Sequence, residues 1–130
     1  MNWRDQLAAI MLDHVEGASG LTQATARMLV SFLDEENHTS VQSLSAALQE
    51  LARQILTAQS GMASLVTLFN RVFFALGTAD DIDLARRQIR SQLGDFQERL
   101  ASHRQACSRL ATALIAPDIV VMTHSASSIV

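Results

Sequence analysis

The chain has 130 residues, 48% of them hydrophobic, with only five glycines and one proline. That fits one folded domain, excludes a disordered segment, and favours long helices over a sandwich or barrel. The net charge of −3 excludes a general nucleic-acid binder, which needs a strong basic excess to neutralise phosphates.

The first predicted helix covers residues 3–15, where Trp3, Leu7, Ile10, Met11 and His14 recur at helical spacing. The run Gly17-Ala18-Ser19-Gly20 breaks it. Ser19 is placed to cap a second helix over residues 21–33, with Leu21, Met28, Leu29 and Phe32 inward. After a polar connection, Ser40 caps a third helix whose apolar stripe is Val41, Leu44, Leu48, Leu51 and Ile55. Ser60-Gly61 punctuates, and Ser60 is placed to cap a fourth helix ending near Leu76, with Gly77 as its stop. Met62, Leu65, Val66, Phe69, Val72, Phe73, Phe74 and Leu76 cover much of its circumference, which predicts a buried helix at the centre of a bundle.

The fifth helix is the longest, capped by Thr78 or Asp80 and reaching about Ile115, roughly 50 Å at 1.5 Å per residue. Ile89, Leu93, Phe96, Leu100, His103, Cys107, Leu110 and Leu114 alternate by three and four along it. Such a seam packs lengthwise on the bundle or joins a two-chain coiled coil, in which His103 and Cys107 are poor seam residues. The arginines of this helix read as a solvated face pairing with Asp83, Asp95 and Glu98, or as a contact face for an acidic partner. After Pro117-Asp118, residues 119–122 form a short, mostly β-branched apolar run that reads as a buried parallel strand. Thr123-His124-Ser125 and Ser127-Ser128 then follow, as at the strand end of an α/β fold, where ligands collect. The expected fold is therefore all-α: a bundle of about five helices over residues 1–116, with a long last helix, followed at 117–130 by the first strand and turn of a truncated α/β domain.

No leader with a basic region before an apolar core stands at Met1–Gln6, and no apolar run approaches the roughly 20 residues of a membrane span, so a cytoplasmic protein with no membrane partner is expected. The lone cysteine, Cys107, forms no internal disulfide. Read as one turn of helix, His103 and Cys107 supply two metal ligands, too few for a site, so no metal is expected and Cys107 reads as a small buried apolar residue.

Taken together, the tail and two upstream stretches resemble a known family. Thr123-His124-Ser125 followed by Ser127-Ser128-Ile129-Val130, the turn Gly17-Ala18-Ser19 after Asp13, and Ala58 to Leu65 followed by Phe69-Asn70-Arg71-Val72 are similar to the eukaryotic translation initiation factor 2B regulatory subunits. That family also holds the ribose-1,5-bisphosphate and methylthioribose-1-phosphate isomerases. The resemblance implies an N-terminal helical domain before a Rossmann-like domain, assembly into homo-oligomers, and a phosphorylated small-molecule ligand in the cleft between domains, with no further cofactor. It also implies that Gly17, Ala18, Thr123, His124, Ser125, Ser127 and Ser128 line that ligand site. Even with the resemblance, the tail residues read equally as ordinary strand-to-helix punctuation, and without it the ligand signal is weak. His124 as a general base lacks a carboxylate to orient it.

Two departures bear on activity. The isomerases carry an Arg before the Gly-Ala turn, where this chain has Glu16, and an Arg-Pro pair where it has Gln59-Ser60. Each removes a cation that a phosphate would use. The isomerases' catalytic Cys and Asp lie in the second domain, and Cys107 does not match that Cys. The chain by itself is expected to be inactive, with no catalytic residue, and to serve subunit assembly and sugar-phosphate or nucleotide sensing; the alternative is the N-terminal domain of a sugar-phosphate isomerase.

Overall fold

A computed structural model describes residues 1–122 and forms five helices: α1 (Trp3–Leu12), α2 (Ala18–Glu35), α3 (Val41–Ala58), α4 (Ala63–Gly77) and α5 (Ile82–Leu114). α4 packs against α2, α3 and α5, and α1 lies on α2 and α3. The core between them is mostly aliphatic, with Phe32 of α2 and Phe69 of α4 its largest buried side chains.

The helix ends correct several expectations. Asn2 caps α1 by accepting from the N–H groups of Arg4 and Asp5. The helix stops at Leu12 rather than residue 15, because Asp13 turns extended and its Oδ1 accepts the N–H groups of Val15 and Glu16, at 2.8 and 2.9 Å. α2 starts at Ala18 with Gly17 as its cap residue, so Ser19 and Gly20 lie inside the first turn. Ser40 caps α3 as expected, accepting from Ser43 N–H at 3.1 Å. Ser60 does not cap α4. Gly61, at φ +85°, reverses the chain there, a conformation that glycine adopts without penalty, and Met62 enters the helix. Gly77 is the last helical residue rather than a left-handed stop, and Asp81, not Thr78 or Asp80, caps α5 by accepting from Leu84 N–H.

α4 is central but not buried all round. Leu65, Leu68, Phe69, Val72, Ala75 and Leu76 face inward, whereas Val66 (46% exposed) and Phe74 (72% exposed) point outward. The seam of α5 divides in the same way. Ile89 and Leu93 are sealed in the bundle and Phe96 packs at its edge. Beyond them the helix leaves the bundle, so Leu110 and Leu114 are exposed, and so are His103 and Cys107. Cys107 is therefore not the buried apolar residue its seam position suggests, because among the described residues no helix lies opposite it.

Two of the α5 arginines near the bundle reach across it instead of pairing along their own helix. Arg86 donates to the carbonyls of Leu33 and Glu36 at the end of α2, at 2.9 and 2.7 Å, and Arg90 pairs with Asp34. Residues 119–122 form no strand among the described residues. They run irregular and exposed after Asp118, which takes a positive φ of 63°. A lone apolar segment has no ladder to join. Among the described residues no helix is long and apolar enough to cross a membrane.

Candidate functional site

The turn between α1 and α2 is shaped from inside by Gln59. This side chain stands one turn beyond Ile55 on the buried stripe of α3 and is only 6% exposed. Its Nε2 donates to the carbonyls of Ile10, at 2.7 Å, and Asp13, at 2.8 Å. Those carbonyls belong to the last turn of α1 and the residue just after it, where the helix itself provides no donor. Gln59 is thus a side-chain cap delivered from another helix. Reading it as a phosphate position that had lost its cation missed this role. The signal was its spacing of four from Ile55, which continues the inward face.

Asp13 is the second brace. The N–H groups of Glu16 and Val15 hold its carboxyl below the ordinary value of 3.8. With both braces set, Gly17 and Ala18 are delivered exposed to solvent at the start of α2, where no side chain caps the first turn. A helix start of this kind attracts anions through its free N–H groups and dipole. Glu16 changes its character: the carboxylate folds over Gly20, so that a methyl group there would collide with Glu16 Oε2. The first turn of α2 therefore already carries a negative charge. Beside it, Ile10, Leu21 and Ala24 floor a cleft of about 230 Å³ rimmed by Asp13, Glu16 and Arg27.

The turn is fixed to the body of the protein by α2 itself. Thr22 and Ser64 share a 2.7 Å hydrogen bond between α2 and α4, and the Thr22 and Thr25 hydroxyls donate back to the carbonyls of Ala18 and Leu21. Small hydroxyl residues let the two helices approach closely without leaving a buried donor unpaired.

Gly17 and Ala18 are brought together at one exposed turn. The other predicted ligand residues, Thr123, His124, Ser125, Ser127 and Ser128, lie outside the described residues. His103 and Cys107 share an exposed stretch of α5, and no group of three or more His, Cys, Asp or Glu side chains is placed to hold a metal among the described residues.

No curated protein and no solved structure matches this chain. The initiation factor 2 subunit family does match, over residues 14–130. The matched span runs from the braced turn through all four longer helices to the tail, so the features described above fall almost wholly within it, and the chain belongs to the initiation factor 2 subunit family.

Proposed function

We propose that this chain is the N-terminal helical domain of a translation initiation factor 2B-like protein that works through subunit assembly in the cytoplasm. In this reading residues 1–116 form the helical domain and residues 117–130 open a Rossmann-like domain. Gly17 and Ala18 then face Thr123, His124, Ser125, Ser127 and Ser128 across a cleft that senses a sugar phosphate or nucleotide. The observation that carries the regulatory reading over the catalytic one is the Glu16 carboxylate above the first turn of α2. An isomerase of this family would place an arginine there, and a carboxylate in its place weakens the hold on a phosphate that catalysis would require. Buried Gln59 supports the same reading, since its two donors are used within the fold. In favour of the alternative, an isomerase domain, Gly17 and Ala18 remain exposed and uncapped.

The test is a turnover assay with ribose-1,5-bisphosphate and methylthioribose-1-phosphate, joined to calorimetric titration with inorganic phosphate. No turnover is expected, and Glu16→Ala should bind phosphate more tightly than the parent chain. Turnover by the parent chain, or phosphate binding equal in the two proteins, would show that the carboxylate is no obstacle and would favour the isomerase.

A further inference from the structure

α4 carries a single charged residue, Arg71, and its guanidinium is stacked over the Phe96 ring of α5, 5.5 Å from the ring centroid. The outer positions of the helix, Ala63, Val66, Thr67, Asn70, Phe74 and Gly77, are all exposed and all uncharged. The helices on either side continue this pattern. Gln42, Ser45, Ala46 and Gln49 of α3 form one wall of an open groove of about 590 Å³, with Phe73 and Leu76 of α4 among its lining. On the other flank Phe74 lines a small cleft together with Gln88, Ser91 and Gln92 of α5. The nearest α3 charges, Glu50 and Arg53, are paired with each other at 2.6 Å.

Depletion of charge around exposed aromatics marks the centre of a protein–protein interface. A face with no charge to offer also selects its occupant, because a charged partner would be desolvated there without a counterion. The occupant must present an equally neutral surface, with a knob for the groove and a groove for the knob. This face has both: Phe74 projects from it, and the groove between α3 and α4 opens beside it. A surface that is its own complement is what a two-fold contact requires.

We propose that the outer face of α4 is a homotypic interface, in which Phe74 of each copy seats in the α3–α4 groove of a second copy. The proposal rests on the assembly role above and names its surface. α4 is about 22 Å long and its neighbours' axes lie about 10 Å to either side. The face therefore offers roughly 400–450 Å² per copy, the size of a weak, reversible association.

Sedimentation of the whole chain over a wide concentration range tests this, with helix content followed by circular dichroism. The parent chain should pass reversibly from monomer to dimer. Phe74→Glu and Ala46→Arg, both at exposed positions, should each remain monomeric with unchanged helix content. An equimolar mixture of the two should regain the dimer, because the new carboxylate of one chain then enters the groove carrying the new guanidinium of the other. Leu114→Glu and Val120→Asp, on the projecting half of α5 and on the tail, should dimerise like the parent. A parent chain monomeric throughout would overturn the proposal, as would a mixture that fails to reassociate. So would dimers that survive Phe74→Glu but are lost in Leu114→Glu or Val120→Asp, which would move the contact to the α5 seam or the tail. None of these results bears on the turnover assay, so failure of the interface and failure of the regulatory reading are separately visible.

Discussion

Gln59 shows how much a single amide can settle. It donates both of its hydrogens to carbonyls at the end of α1, and it does so from inside the protein. Gln59→Ala would strand two acceptors in a poorly hydrated place, and one such unsatisfied group costs about 1–3 kcal/mol. The expected result is a loss of about 2–4 kcal/mol in urea unfolding, with Gln59→Glu worse because its carboxylate would face two carbonyls. A loss below about 0.5 kcal/mol, as for a surface site, would mean that water replaces the amide. A residue whose partners lie 46 and 49 positions away betrays nothing in its local sequence except its place on the α3 stripe.

At the level of elements, α4 separates what the sequence discloses from what it withholds. Apolar spacing located all five helices, and Ser40 gave one boundary correctly. The start of α1 at Trp3 and the ends of α4 and α5 also fell within a residue of their positions. The other boundaries were misplaced because several serines, a threonine and two glycines near them offered competing caps, and tertiary contacts chose among them. Hydrophobicity around α4 predicted burial, yet it could not say which side meets solvent, because that depends on how many neighbours the helix has. Phe69 is 2% exposed and Phe74, on the same helix, is 72% exposed. Phe69→Ala should cost about 3–5 kcal/mol, as for a buried aromatic. Phe74→Ala, measured where the chain is monomeric, should stay within about 0.5 kcal/mol. Matching urea midpoints for the two variants would mean that the inward face of α4 is wrongly assigned. The break at Gly17-Ala18 was legible from its turn chemistry; the negative charge folded over it was not, since side-chain direction is not written in spacing.

On the scale of the whole molecule, α1 is the element held most by polar groups, with Ile10 its only fully buried residue. Gln59 fastens one end. At the other, the Trp3 indole N–H donates to Glu36 Oε1 at 3.0 Å, and Arg4 donates to the same oxygen at 2.6 Å. Together they hold the Glu36 carboxyl below its ordinary value of 4.5, with the indole hydrogen bond the larger cause. A carboxyl with a lowered folded pKa contributes stability that is complete above the unfolded value. That contribution fades as pH falls through the folded one. Trp3 is the single tryptophan, so its fluorescence should report release of this end of α1 on acidification below about pH 4.5, ahead of the loss of helix content. Glu36→Gln should remove that early step; an unchanged acid profile in this variant would locate the transition elsewhere.

α5 joins this body to everything after it, and its geometry has a mechanical consequence. Leu93 is the last fully buried residue of the helix, and Gly94, next in line, has no neighbour within 4 Å of where its Cβ would lie. Past Gly94 only Phe96 still packs at the bundle's edge, and the helix runs on for about 30 Å. Glycine is the weakest non-proline link in a helix, by about 1 kcal/mol relative to alanine, so bending concentrates where the support ends. The projecting half then acts as a lever with its fulcrum at Gly94: a tilt of about 10° carries its tip roughly 5 Å over that length. Movements within the bundle too small to disturb its packing would be amplified into displacements large enough to open or close a contact at the far end.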